Sequence, residues 1–421
     1  MAESDALAIR QLVVLGDLAA AEQALAAPLE ALAERSLTGV RITSDAYSLN
    51  SVSGVAEFSQ GEPVFFKFHV EEDEAGHVGE YYRASVLHEA GLPIDLPLAV
   101  STRPGGQLVL YRVRHDTRMV DECRQIERDC GDAANLPEDL AVARRALDRA
   151  VGDVGVRTLR VRHDEGATSP AVHQLFSQRM HDPEGHYPGG RLARWYMSDS
   201  QWADLEHRAW TVDGVDYKET LAALVARARC DLAPAVLDRG PVVTAHGDDH
   251  LGNVWVERAR GRTRLVLFDP AFAGDDLPAL LAFAKPTFHN VFAHPAWLYH
   301  PGEVDLARVT VEVTPGAVRV DAPPLSPMRL AMLDSLVDEA WIPLLTAMAA
   351  QGILPPTWRQ TVRSALLLCP LLVTNLISES RVPVVRLLGL ANAVRMGSEP
   401  ASGSDALTRA LDRMQEAIDP R

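Results

Sequence analysis

The sequence predicts an α+β chain with a small β-rich first part and a larger, mainly helical remainder. Three observations predict it. Short β-branched and aromatic runs cluster between Val40 and Tyr111, helical periods dominate from Leu136 onward, and one hairpin pattern, near residues 254–268, interrupts the helical part.

Residues Ser4 to Arg35 are rich in Ala, Leu and Glu, with an interruption near Gly16 and Pro28, so they read as one broken helix or two short ones. Leu12, Leu15, Leu18, Leu25, Leu29 and Leu32 are packing positions. From Val40 the period changes, and Val40 to Thr43, Ser51 to Phe58 and Val64 to His69 read as strands. The third, V-F-F-K-F-H, sets one lysine in an aromatic run. Alternation points Lys67 away from Phe66 and Phe68, and a charge placed there needs a partner. Val78 to Ala90 reads as a helix ended by Gly91 and Pro93, and it offers Glu80 or Glu89 as that partner. Two more strands, Leu96 to Ser101 and Gln107 to Tyr111, bracket the turn T-R-P-G-G. The first part thus ends near Val113, giving domains at 1–113 and 114–421.

Beyond Arg114, Leu136 to Val151 and Thr220 to Leu237 are helices by Ala, Leu and Arg content. Residues 152–215 mix Gly, His, Arg and aromatics without a clean period, and read equally well as a substrate-specificity insertion or as a loop packed on the larger domain. Past the hairpin, Gly274 and Asp275 are expected just before a helix, with the acidic residue capping its free N–H groups. Val309 to Val313 and Ala317 to Val320 form a second hairpin around T-P-G. Ser326 then caps a helix with Pro327 at its first position, and helices near Met328–Ala350, Thr357–Ile377, Val384–Met396 and Asp405–Ile418 complete the chain.

The chemistry is concentrated in Thr244 to Asp269, T-A-H-G-D-D-H-L-G-N-V-W-V, then a polar turn containing Arg258, Arg260 and Gly261, then L-V-L-F-D. The polar residues fall at the open end of the hairpin. A hard divalent cation such as Mg²⁺ takes oxygen ligands, usually one or two carboxylates with substrate phosphates, and Asn253 with Asp269 can supply the protein's share. Asp248 is then free to orient or deprotonate a hydroxyl, a division of labour that suits phosphoryl transfer.

H-G-D-x-H-x-x-N followed by a hydrophobic strand ending in Asp resembles the aminoglycoside phosphotransferase family, small-molecule kinases with a protein-kinase-like bilobal fold. The resemblance covers roughly Val40 to Val113 and Ala245 to Leu281. It implies a small antiparallel-sheet N-lobe and a large helical C-lobe, Asp248 as catalytic base, Asn253 and Asp269 as metal ligands, and His246 and His250 as residues that brace the loop. Asp269 is followed by Pro270 rather than the aromatic residue often found in the family. The resemblance also implies that Lys67 holds nucleotide phosphates and pairs with Glu80, with Glu89 as the competing choice. No G-x-G-x-x-G lies between the first two strands, so the backbone of Ser48 to Ser51 is left to cover the phosphates. Tyr111 to Val113 stand where the hinge would meet the nucleotide base. Asp249, Lys285, His289, His294 and Trp297 are candidate substrate contacts, although ordinary packing explains the 285–300 segment equally well, and its histidines match no zinc spacing.

Composition narrows the partners. The formal charge of −16 argues against a nucleic-acid phosphate as main partner and is compatible with a cationic acceptor. Four cysteines with no paired spacing read as free thiols. The acidic N-terminus and the short, Pro-broken apolar run Ala365 to Val373 suggest a cytoplasmic protein without a membrane span. Among 41 Lys and Arg residues, lysine stands only at Lys67, Lys218 and Lys285, which marks these three for attention. The expected function is transfer of the γ-phosphoryl group of ATP or GTP, with Mg²⁺, to a hydroxyl of a small polar acceptor such as an amino sugar. The alternatives are a nucleotide-binding regulator that has lost the reaction, and a protein kinase. Against the second, no activation segment ending in A-P-E stands between Asp269 and the following helix.

Overall fold

Two helices lead the chain, α1 (Ser4–Val14) and α2 (Leu18–Ala33), and the break between them falls at Gly16, whose φ of 81° is open to glycine. Asp17 then caps α2 by accepting the Ala20 N–H at 3.2 Å. The helix continues through Pro28, so the expected interruption occurs once rather than twice. The computed structural model describes residues 4–43, 51–69, 80–101, 108–162, 170–293 and 295–419. They divide into two units, Met1–Ser85 with Ile94–Asp116, and Val86–Pro93 with Thr117–Arg421.

The first unit holds a five-stranded antiparallel sheet of β1 (Leu37–Thr43), β2 (Ser51–Phe58), β3 (Val64–His69), β4 (Ala99–Val100) and β5 (Leu108–Arg112), in the order β1-β2-β3-β5-β4. Strand alternation sorts its two faces. Phe66, Phe68, Leu108 and Leu110 join Ile9, Ala21, Leu25 and Leu29 in one core beneath α1 and α2. Val109 and Tyr111 pack with Phe65 and Val100 on the opposite face. Helix α3 (Glu80–Glu89) ends at Gly91 (φ 94°), where the Leu92 N–H returns to Leu87 O at 3.0 Å.

The second unit is mainly helical. Its α4 (Met119–Cys130) and α5 (Glu138–Thr158) are followed by late helices at Pro327–Leu336, Ile342–Ala350, Trp358–Val373, Pro383–Gly397 and Ala406–Ile418. Ser326 caps the first of these by accepting the Arg329 N–H, and Asp405 caps the last. Gly152 lets α5 approach the 337–341 turn closely, since a Cβ there would meet Glu339 O at 2.1 Å. Three small sheets complete the unit. One is β13 (Gly274–Pro278), β10 (Pro241–Ala245) and β7 (Arg160–Val161). The second is β12 (Arg262–Leu267), β11 (Val254–Ala259) and β6 (Thr117–Arg118). The third is β14 (Thr310–Val313), β15 (Ala317–Asp321), β8 (Ala209–Val212) and β9 (Val215–Asp216).

Gly274 and Asp275 open a strand, because β13 pairs antiparallel with the buried strand β10, and the first helical turn follows only at Ala279–Leu281. Asp275 and Asp276 cap nothing there; they lie 3.5 and 3.6 Å from Arg160 and Arg162. The 152–215 stretch is partly regular, as α5 runs seven residues past Val151 and β8 with β9 joins the second hairpin. Cys123 and Cys369 are buried free thiols, while Cys130 and Cys230 are exposed. No helix of the described residues is long and apolar enough to cross a membrane.

Candidate catalytic site

Strand β10 is buried along its whole length, so the chain leaves it at a fixed place and enters the loop 246–253. Gly247 makes the turn with φ 78°, and a Cβ on it would stand 2.8 Å from Phe272 O, so both conformation and space require glycine. His246, 2% exposed, ties the loop to the return strand. Its Nδ1 accepts the Asp248 N–H at 3.3 Å and its Nε2 meets Phe268 O at 3.0 Å. A ring that accepts at Nδ1 and faces a carbonyl at Nε2 is the neutral Nε2–H tautomer. Burial, which holds its pKa below the ordinary histidine value, works in the same direction. His250 likewise accepts the Gly252 N–H at 3.0 Å.

The β11–β12 hairpin closes through Arg260 and Gly261, both left-handed at φ 53° and 72°, the two-residue turn that matches strand twist. Its register sets Val254 opposite Leu267, and the Phe268 N–H reaches Asn253 O at 3.0 Å. Asn253 and Asp269 are thus neighbours at the open end. The Asn253 amide donates Nδ2–H to Asp248 O at 2.9 Å, which commits the NH₂ group and leaves Oδ1 as the oxygen available to a ligand. Asp269 sits at φ 59°, a conformation L residues rarely adopt, and such strain concentrates at functional sites.

Asp248 is partly exposed, yet its Oδ1 is buried and has no hydrogen-bond partner among the described residues, while Oδ2 lies 3.9 Å from His250 Nε2. An unengaged carboxylate oxygen in such a place is costly unless a ligand completes it. A fourth anchor went unseen in the sequence. Asn290 Oδ1 accepts the Leu251 N–H at 2.9 Å, and Arg329, 1% exposed, donates to Asn290 O while gripping Glu127 of α4 with two bonds of 2.7 Å. No fixed spacing links these three residues, so nothing in the sequence marked them.

Asp249 and Trp297 face inward. The Asp249 carboxyl is 4% exposed, its electrostatic neighbours include Arg144 and Asp148 on α5, and burial pushes its pKa up to about 7. Trp297 is 2% exposed and spends its indole N–H on Phe292 O at 2.9 Å. Trp297 thus spends its polar end on the backbone, whereas Asp249 keeps its Oδ1 without a hydrogen-bond partner among the described residues. Lys285 and His289 are also buried, within electrostatic reach of the 246–253 loop. The Asp248 charge acts on Lys285, and the His289 ring is 5.1 Å from that of His250.

In the first unit, Lys67 is buried on β3, its register partners being Ser53 and Val109, so it stands on the face away from Phe66 and Phe68. Glu80 is the first residue of α3 and Ser51 the first of β2. Tyr111 is buried near the end of β5, with Val113 just beyond it and partly exposed. Ser48 and His294 lie outside the described residues.

No family model matches the chain, and no curated protein does. Solved structures do. A spectinomycin phosphotransferase bound to ADP and spectinomycin is 13% identical over 89% of this chain and 98% of its own, with a TM-score of 0.37. An ethanolamine kinase of Plasmodium vivax is 8% identical over 90% and 82%, with a TM-score of 0.38. A macrolide 2'-phosphotransferase of Brachybacterium faecium is 15% identical over 80% and 96%, with a TM-score of 0.31. These scores and identities are low, so the case for function stands on the side chains of the 246–269 segment and not on the likenesses.

Proposed function

We propose that the protein is a small-molecule kinase of the aminoglycoside phosphotransferase type, transferring the γ-phosphoryl group of ATP or GTP to a hydroxyl of a small polar acceptor. The observation that carries this reading is the unengaged Asp248 carboxylate, held by a loop anchored at His246, Asn253 and Asn290, with Asn253 Oδ1 and Asp269 at the same hairpin end. Asp248 would accept the acceptor's proton as the hydroxyl oxygen bonds to the γ-phosphorus and the nucleoside diphosphate departs with the bridging oxygen. The donor set of one amide oxygen and one carboxylate fits Mg²⁺, which supplies charge neutralisation on the phosphates when bound. From the first unit, Lys67 is the proposed phosphate cation, with Glu80 as its partner and the Ser48–Ser51 and Tyr111–Val113 backbones as nucleotide contacts.

Replacing Asp248 with Asn is expected to lower turnover by about 10²–10⁴-fold while nucleotide binding persists. Nucleoside-diphosphate release against a panel of hydroxyl compounds, run beside a nucleotide-binding titration, checks it. A variant as fast as the parent would remove Asp248 from the role of base.

A further inference from the structure

Lys285 and His289 are four residues apart on a continuous helical stretch, Ala284–Thr287 running into the 288–293 turn, so they share one face. Both are buried, at 2% and 6% exposure. Lys285 makes no hydrogen bond or salt bridge among the described residues; the Phe176 ring lies 6.0 Å from its Nζ, at the outer limit of a cation–π contact. His289 receives or donates one bond through Nδ1, 2.6 Å from Tyr299 Oη, and its buried Nε2 has no partner. Two polar ends are therefore left without a hydrogen-bond partner among the described residues.

Of the charged side chains that act on Lys285, one is an anion and two are cations. Besides Asp248, the groups that act on Lys285 are the Cys369 thiol and the cations Arg179 and Arg191. Burial pushes that thiol up to about 12, so it brings no negative charge. Arg179 and Arg191 are held in place by the carbonyl of Leu372 at the end of the helix Trp358–Val373, at 3.3 and 2.9 Å. The net charge of −16, which favoured a cationic acceptor, is spread over the whole chain and screened within about 10 Å in salt. Local cations decide what binds locally.

We propose that Lys285 and His289 form a subsite for an acidic group of the acceptor, so that the molecule phosphorylated is a hydroxyl compound bearing a carboxylate or a phosphate. An interior ammonium without a carboxylate in contact is costly to hold, and an oxyanion from the substrate relieves that cost only when bound. The proposal rests on the kinase reading for the word acceptor; the anion subsite itself does not require turnover.

The test uses the full chain, without nucleotide, in thermal unfolding titrations with gluconate, glucose 6-phosphate, glucose and glucosamine at constant ionic strength. Expected is a saturable rise in melting temperature with gluconate or glucose 6-phosphate, which tells carboxylate from phosphate, and none with the other two. The Lys285→Met variant should start more stable than the parent, having lost a buried charge, and should not respond. Stabilisation by glucose or glucosamine alone, no response to either acid, an equal response in the variant, or a variant less stable than the parent would each overturn the subsite. Nucleoside-diphosphate release with the same four compounds separates the two ideas. Transfer to glucosamine but to neither acid leaves the kinase standing and rejects the subsite, whereas acid binding without release under any condition keeps the subsite and rejects the kinase. Where an acid is phosphorylated, its KM should rise roughly tenfold to a hundredfold in Lys285→Met, the weight of one charge-assisted hydrogen bond.

Discussion

Asp249 shows how much environment decides for neighbouring carboxylates of identical chemistry. Each has an Oδ1 without a hydrogen-bond partner among the described residues, but Asp248 is partly exposed whereas Asp249 turns to the interior, where burial outweighs the Arg144 cation and raises its pKa from 3.8 to about 7. Between those values the folded protein holds a proton that the unfolded chain has released. The resulting stabilisation is complete below about pH 4 and is lost as pH rises through 7, at about 1.4 kcal/mol per pH unit across that window. Asp249→Asn should flatten this dependence, so that urea midpoints measured from pH 5 to pH 8 fall less steeply in the variant than in the parent. Equal slopes would show that Asp249 is ionised in the folded protein.

At the scale of the element, the 246–253 loop is held from outside by a chain of contacts that runs from Leu251 through Asn290 to Arg329 and Glu127. Arg329→Ala leaves Asn290 O and the Glu127 carboxylate without their donor, and should cost about 2–3 kcal/mol in unfolding experiments and reduce turnover by loosening the loop. In the first unit the expected cost is one of packing. Leu25 and Leu29 are wholly buried against the sheet, and Leu29→Ala should destabilise by about 2–5 kcal/mol, read from denaturant midpoints. The elements themselves were unevenly legible. β1 to β3 and the β11–β12 hairpin declared themselves through alternation and turn residues. The hairpin of β8 and β9 carries Asp213-Gly214, both at positive φ, which is a strong turn signal, but its strands are only four and two residues long and sit in a region without period. Gly274–Pro278 leads into an apolar run that reads as helix, and only pairing with β10 makes it a strand.

For the molecule as a whole, the scarcity of lysine yields a direct measurement. Lys218 is exposed, whereas Lys67 and Lys285 are buried. An amine-selective reagent should modify Lys218 alone among the side chains of the native protein and all three after denaturation, as intact mass would show. Early modification of Lys285 would contradict its burial. The same scarcity explains what the sequence could and could not tell of the site. Asp248, Asn253 and Asp269 stood out as candidates because the proposed chemistry fixes their spacing, and Lys67, in the first unit, because it interrupts an aromatic strand. Asn290, Arg329, Arg179 and Tyr299 come from distant segments whose meeting depends on tertiary packing, and alternation says nothing within an irregular loop about which of Asp248 and Asp249 turns inward.

The two-residue reversal at Arg260 and Gly261 is the covalent link between β11, which Asn253 precedes, and β12, which Asp269 follows. Every residue inserted there would slide the second strand by one place, exchange its inward and outward side chains, and carry the acidic end out of step with its amide neighbour. A change of length at a solvent-washed tip, six residue pairs from the chemistry, would therefore act like a mutation of the site itself.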